Sequence, residues 1–270
     1  MIESEPPPIS EIALLTELHT QTIGRHPHIV REAASTIDLA RDWLDRGAPD
    51  GAVVIALRQL GGRGRLDRAW SSPPGGLWLT LLLRRHVEPE HAGLLGIILA
   101  LAAADAVDRL AGTRVMLRWP NDLLLDGRKL GGVLVETRLQ GDRIEAALLS
   151  LGLNANFPLS DLPTELHATA TTLQEATGRD VPLTALAAAF FDDIETGLST
   201  LPGDPGAALG AWRYRDALHG QEVTLDVAGN TLRGRARGID RRGRLLLSTG
   251  WLRRTPVETG EVLAVKKAHT

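Results

Sequence analysis

The sequence predicts an α+β protein with a larger domain over residues 31–219 and a small antiparallel β-barrel over residues 220–268, behind an N-terminal extension of residues 1–30. Three observations predict it. Helical and strand signals alternate, without repeats, from Ser35 to Leu218. From Gln221 to Lys266 the pattern shifts to short alternating runs (VTLDV, LRGRARGI, RLLLS, EVLAV) divided by Gly229-Asn230, Asp240 to Gly243 and Gly250. A chain of 270 residues with 43% hydrophobic content can bury one large core and a second small one.

The extension holds Pro6, Pro7 and Pro8 and the stretch IALLTELH, too little for an independent domain of three helices. Ser35 and Thr36 precede IDLARDWLDRG, where Ile37, Ala40, Trp43 and Leu44 share a helical face and Gly47 is placed to stop the helix. Ala52 to Leu57 reads as a buried strand, and Leu77 to Leu83 as another after the turn-rich SSPPGG. A long helix is predicted from about Glu90 to Leu110; its apolar run LLGIILALAAA is too short to span a bilayer and is interrupted by Gly96, so it reads as buried. VMLRW and LLL follow as strands. Asp126-Gly127 is a two-residue hairpin signal that returns the chain as RKLGGVLVETRL, and Gln140 to Asp142 turn it into IEAALLSLGLN. Three neighbouring strands then carry Arg118, Lys129 and Asn154. Helices at about Thr184 to Leu198 and Ala207 to Leu218 lead to the boundary near residue 219.

Composition excludes several classes of function. A net charge of −3 argues against a mainly electrostatic nucleic-acid binder. The cluster Arg233, Arg235, Arg237, Arg241, Arg242 and Arg244 lacks the interleaved aromatics of a nucleic-acid patch and reads as solvated barrel loops. The absence of cysteine removes disulfides, thiolate metal sites and any cysteine nucleophile. No signal peptide is recognised, which points to the cytoplasm, with neither nucleic acid nor membrane as partner. His26 and His28 form an HxH with no third ligand nearby in sequence, so no metal is assigned to protein ligands; Asp192 and Asp193 read as solvating a helix face.

The chemistry concentrates in two segments. Lys129 is the only lysine in the first 265 residues of a chain with 27 arginines. Its compact ammonium can enter a narrow pocket beside a carboxylate or phosphate, where a planar guanidinium cannot. In GGRGR, Gly61, Gly62 and Gly64 permit positive φ and close approach of a ligand, while Arg63, Arg65 and Arg68 bring forked donors for anionic oxygens. A mobile surface loop has the same composition. In Trp119-Pro120-Asn121-Asp122 the proline restrains the backbone before two short polar side chains able to bond a nucleotide or a metal-bridged phosphate, or simply to make a turn. Gly131 and Gly132 weaken a strand unless something must approach the backbone there.

Taken in order, GRGRLDRAW, RWPND, GRKLGGVLVE and LGLNAN closely resemble the biotin protein ligases, with a likeness covering about residues 30 to 267. The resemblance implies a mixed β-sheet flanked by helices, of the class II synthetase-like biotin/lipoate ligase type, followed by a small barrel resembling a Src-homology-3 domain. It implies that biotin and ATP, with magnesium, form biotinyl-5′-AMP, and that biotin then passes to a lysine of a biotin carboxyl carrier domain. By the same resemblance Ser35, Thr36 and Gln59 contact biotin, and Arg63, Gly64 and Arg65 form the loop over biotin and adenylate. Lys129 lies by the biotin carboxylate and α-phosphate and Gly132 by the biotin tail. Arg68, Trp70, Arg118, Asn121 and Asn154 fall on the nucleotide side. Lys129, Arg65 and Arg63 are the expected catalytic cations, since carboxylate attack on phosphate brings anions together. A monomer or weak homodimer is expected.

The sequence departs from that pattern in three places. Ile37 follows Thr36 where the family has asparagine, removing a polar contact or a helix-start bond; Arg118 replaces a lysine; and Leu60-Gly61 replaces a small polar pair. Two rival readings are a lipoate-type ligase, whose Arg-Arg-x-Ser-Gly-Gly-Gly signature is missing, and a biotin-binding sensor without ligase activity. A repressor would need a DNA-reading helical domain ahead of Ser35.

Overall fold

The computed structural model describes residues 8–84, 87–201, 203, 205–249 and 254–266. Gly250 and Lys267, which the sequence reading places in a turn and the tail, lie outside them. Helix α1 (Glu11–Glu17) precedes β1 (His26–Val30), α2 (Thr36–Asp45) and β2 (Ala52–Ala56). A short hairpin of β3 (Gln59–Arg63) and β4 (Ala69–Ser72) follows, then β5 (Leu77–Leu83) and the long helix α3 (Ala92–Ala111). Strands β6 (Met116–Arg118), β7 (Asp122–Leu125), β8 (Arg128–Gln140) and β9 (Arg143–Leu153) come next, before α4 (Leu173–Thr177), α5 (Leu183–Ser199) and α6 (Gly206–Arg215).

The main sheet has seven strands in the order β1-β2-β5-β9-β8-β7-β6. Only the β1–β2 pairing is parallel, so the sheet is mixed, and the hairpin predicted at Asp126-Gly127 joins β7 to β8. Its strands read as apolar runs because both faces are covered. Leu77, Leu79 and Leu81 share a core with α3 and α5, whereas Val54, Leu82 and Leu148 pack with Ile37, Ala40 and Leu44 of α2. Helix α2 starts where Ser35 Oγ accepts from Ile37 N at 3.2 Å, and it ends before Gly47, whose φ of +86° suits a helix stop.

Residues 8–30, the described part of the N-terminal extension, pack into the larger domain. Ile9, Leu14, Leu18 and Ile23 are buried in the same core as α3 and α5, and β1 adds an edge strand. Polar anchors explain the docking. The Glu195 carboxylate accepts from the N–H groups of Gln21, Thr22 and Ile23, and Asp192 accepts from His19 N at 3.1 Å. Asp192 and Asp193 thus do more than solvate a helix: Asp193 pairs with Arg109 at 2.7 Å.

The C-terminal unit comprises β10 (Glu222–Val227), β11 (Asn230–Ile239), β12 (Leu245–Ser248), β13 (Arg254–Val257) and β14 (Glu261–Lys266). The predicted barrel is, among the described residues, a five-stranded antiparallel sheet with β13 and β14 at opposite ends. Its buried Val223, Leu225, Leu245 and Leu247 continue the core of the larger domain. Contacts with the Trp119 turn and with α3 help to seat it. Trp119 Nε1 donates to the Gly243 carbonyl at 3.1 Å, and Gly93 of α3 lies so close to the 240–244 loop that a Cβ would meet Arg242 O at 2.4 Å. Gly93→Ala is therefore expected to destabilise the fold by about 1–3 kcal/mol, because the clash is with backbone. Thermal unfolding checks this; an unchanged midpoint would show that the loop gives way freely. No helix among the described residues is long and apolar enough to cross a membrane.

Candidate active site

A cavity of about 330 Å³ opens over the middle of the main sheet, bounded by the start of α2, the β3–β4 hairpin, the Trp119–Asp122 turn and Glu261 of the C-terminal unit. Every predicted site residue except Ser35 borders it. Ser35 is 1% exposed and serves as the cap of α2, its Oγ accepting from the backbone N–H of Ile37.

One end of the cavity is ionic. Lys129 Nζ lies 2.5 Å from Asp122 Oδ1, and Arg118 Nη2 lies 2.6 Å from Asp122 Oδ2. Lys129 is also 5.2 Å from the centre of the Trp70 ring, within cation–π range. Strict strand alternation would put Lys129 on the same face as Gly131. Instead the register shifts, with Leu123 opposite Gly131 but Leu124 opposite Lys129, so the bulge at Leu130 turns Lys129 onto the Asp122 and Gly132 face. Gly132 then borders the cavity, where a Cβ would sit 3.7 Å from Lys129 Cε. Gly131 answers a different need, since its Cβ would meet Gly152 O at 2.7 Å across the sheet. Gly152 in turn accommodates Trp70, whose Nε1 lies 2.6 Å from where its Cβ would be and has no hydrogen-bond partner.

The hairpin loop differs from its sequence reading. Gly61, Gly62 and Gly64 do not adopt positive φ; Leu66 and Asp67 do, at 57° and 54°. Two successive non-glycine residues there cost on the order of 1 kcal/mol or more each. Gly62 is required by close packing, because a Cβ would meet Trp70 O at 2.5 Å. The arginines have protein partners. Arg63 Nη2 and Nη1 bond Asp38 at 2.6 and 3.1 Å, which ties the loop to α2, and the Arg63 guanidinium holds the Asp38 carboxyl below its ordinary value. Arg65 donates to Thr259 Oγ1 and Gly260 O, at 2.9 and 3.0 Å, while burial pulls its guanidinium below the ordinary value. Arg68 makes a two-pronged bond to Glu261, 2.5 Å on each side. Gly64, between Arg63 and Arg65, donates its N–H to Arg68 O at 2.8 Å, closing the turn, and a Cβ there would make only an ordinary 3.7 Å contact with Arg68 O.

The other end of the cavity is neutral. Thr36 N–H and hydroxyl both donate to Gln59 Oε1, at 2.8 and 3.1 Å, and Gln59 Nε2 donates to Ser72 Oγ at 2.8 Å. On the remaining wall, Asn121 Nδ2 donates to Val133 O and Asn154 Nδ2 to Thr171 O, so both amides brace the turn and the loop after β9.

Asp122, which the sequence left open between a nucleotide or phosphate contact and a plain turn, belongs to the site as the carboxylate shared by Lys129 and Arg118, the latter facing it in the β6–β7 register. Thr259, Gly260 and Glu261 carry no local signal at all. For magnesium the donor set is poor. Among the described residues no three acidic or histidine side chains gather, and both Asp122 oxygens are paired. The ion fits instead as one carried by phosphate oxygens, its usual habit.

The profile of the biotin/lipoate A/B protein ligase family matches residues 31–156, and that of the biotin protein ligase C terminal domain matches residues 218–262. Over 249 residues the chain is 30% identical to the bifunctional ligase/repressor of Bacillus subtilis (strain 168), covering 91% of this chain and 76% of that protein. It is 29% identical over 271 residues to the biotin–[acetyl-CoA-carboxylase] ligase of Mycobacterium tuberculosis, covering 96% and 97% of the two chains. Among solved structures, a biotin protein ligase from Aquifex aeolicus in complex with biotin and ATP superposes with a TM-score of 0.75 at 26% identity, over 90% of this chain and 100% of that one.

Proposed function

The chain belongs to the biotin/lipoate A/B protein ligase family, and from that premise we propose that it joins biotin to a carrier protein in two steps. In the first, a carboxylate oxygen of biotin attacks the α-phosphorus of ATP, the bond to the bridging oxygen breaks, and pyrophosphate leaves behind biotinyl-5′-AMP. In the second, the neutral amine of a carrier lysine attacks the acyl carbon and AMP leaves, with the amine proton lost to solvent. The carrier is the biotin carboxyl carrier domain of a carboxylase. The use of ATP supports a cytoplasmic setting.

The observation that carries the site assignment is the contrast between the two ends of one cavity. Lys129 and Arg118 sit on a single carboxylate at one end, and a neutral hydroxyl–amide network occupies the other. The neutral end suits a uncharged polar ring, and the cationic end suits the carboxylate and phosphate that must meet. Two anions approaching within bonding distance need positive charge already in place, and Lys129 supplies it without reorganisation because Asp122 fixes its position. Arg65 adds charge from the loop side. Arg63, its terminal nitrogens held by Asp38, acts by anchoring the loop to α2. Trp70 and Asn154 form the floor on which the nucleotide rests. The loop, tied to Thr259, Gly260 and Glu261 through Arg65 and Arg68, borders the cavity together with Glu261 and Val262, an arrangement suited to keeping water from the acyl-adenylate. Magnesium, carried by the phosphate oxygens and not by protein ligands, would supply screening of their charge.

The assay is incubation with ATP, magnesium and an apo carrier domain, with biotin, lipoate and octanoate in parallel. Carrier modification is expected with biotin alone. Turnover of lipoate with none of biotin would overturn the reading in favour of a lipoate-type ligase, and binding of biotin without any transfer would favour a sensor.

A further inference from the structure

We propose that Ser150 and Thr80 form a specificity-determining pair at the neutral end of the cavity, in which Ser150 presents a hydrogen-bond acceptor to an N–H group of the substrate's ring and Thr80 is the positioning residue that fixes that polarity. Ser150 borders the cavity, whereas Thr80, directly opposite it across the β5–β9 ladder, is 0% exposed. Their hydroxyls lie 3.0 Å apart, and Thr80 Oγ1 is 2.9 Å from Thr36 Oγ1.

The direction of every bond in this chain follows from its obligate ends. Thr36 N–H can only donate, so the Gln59 atom that receives it at 2.8 Å must be the amide oxygen. Thr36 has a single hydroxyl proton and gives it to the same oxygen at 3.1 Å. Thr80 must therefore donate to Thr36, and its own proton is then used. Ser150 must donate to Thr80. What Ser150 retains is lone pairs, on the one hydroxyl of the pair that reaches the cavity. At the far end the Gln59 amide nitrogen donates to Ser72, which donates to the Trp70 carbonyl at 3.4 Å, so the assignment is consistent from end to end.

This inference rests on the ligase reading above. A cyclic urea such as that of biotin carries N–H donors that match an acceptor; the tails of lipoate and octanoate carry none and would leave the Ser150 lone pairs without a donor. A site built to bond a polar group rejects an analogue that lacks it.

The test is steady-state adenylation by the full chain with Ser150→Ala, Thr80→Val and Thr80→Ser, each with thermal unfolding measured alongside. Ser150→Ala and Thr80→Val are expected to raise the KM for biotin about tenfold, the size of one neutral hydrogen bond. The kcat at saturating biotin and the KM for ATP should not change, and Thr80→Ser should restore the biotin KM. An unchanged biotin KM in Ser150→Ala or Thr80→Val, in an enzyme whose parent is active on biotin, overturns the pair while leaving the ligase reading intact. So does a Thr80→Val loss that falls on kcat and unfolding together, or one that Thr80→Ser fails to restore. A parent chain inactive on biotin overturns the ligase reading and this inference with it.

Discussion

Lys129→Arg is expected to slow pyrophosphate release by about 10²–10³-fold under saturating biotin and ATP, the usual effect of losing one preorganised donor. The substitution keeps the charge and changes its shape. The ammonium fits between Asp122, 2.5 Å away, and the Trp70 ring, whose centre is 5.2 Å away, while Arg118 already occupies the second Asp122 oxygen. A guanidinium placed there meets that arginine and the indole and is driven toward the cavity, where it displaces the reacting groups. The fold should be spared, because the Lys129 side chain is on the cavity side of the bulge and its backbone bonds to Thr169 and Thr171 do not involve the ammonium. Near-normal turnover would show that Lys129 is remote from the reacting atoms. A loss that tracks thermal unfolding would make it structural.

Arg65→Gly is expected to raise release of biotinyl-5′-AMP roughly ten- to a hundredfold, corresponding to about 1.5–3 kcal/mol for one charge-assisted contact. Arg65 is held by Thr259 and Gly260, so its charge is kept over the cavity by a segment nearly 200 residues away. Glycine removes both the charge and this tether, and the loop opens to water. Labelling of lysines on an added bystander protein reports the escape; the chain itself carries only Lys129, Lys266 and Lys267. Thr259→Ala separates the causes, since it weakens the tether but leaves the charge. Unchanged release in Arg65→Gly would show that Arg65 does not hold the intermediate, and equal release in both variants would assign the effect to the tether.

Local chemistry was legible in the sequence. Gly47 ends α2, Asp126-Gly127 makes the β7–β8 hairpin, and the order of GRGR, WPND, KLGG and LGLN brings twelve of the thirteen expected site residues to one cavity. These follow from turn geometry and hydrophobic period, which depend on residues close along the chain. Partner choice does not. That Arg63 is held by Asp38 and Arg68 by Glu261 depends on how helix, hairpin and C-terminal sheet approach one another, and side-chain spacing contains no record of it. Residues 1–30 read as an extension because they are too few for a domain of three helices, yet Glu195 and core side chains draw the described residues 8–30 into the larger domain. The bulge at Leu130 is the plainest case: alternation alone puts Lys129 with Gly131, and only pairing with β7 and the contact with the 169–171 segment turn it toward Asp122. The sequence by itself determined which groups would be available and that they would lie near one another. The tertiary structure decided which charges are neutralised, which hydroxyl presents an acceptor and which loop residues take the left-handed conformation, because each of these is settled by atoms brought within about 3 Å from distant parts of the chain.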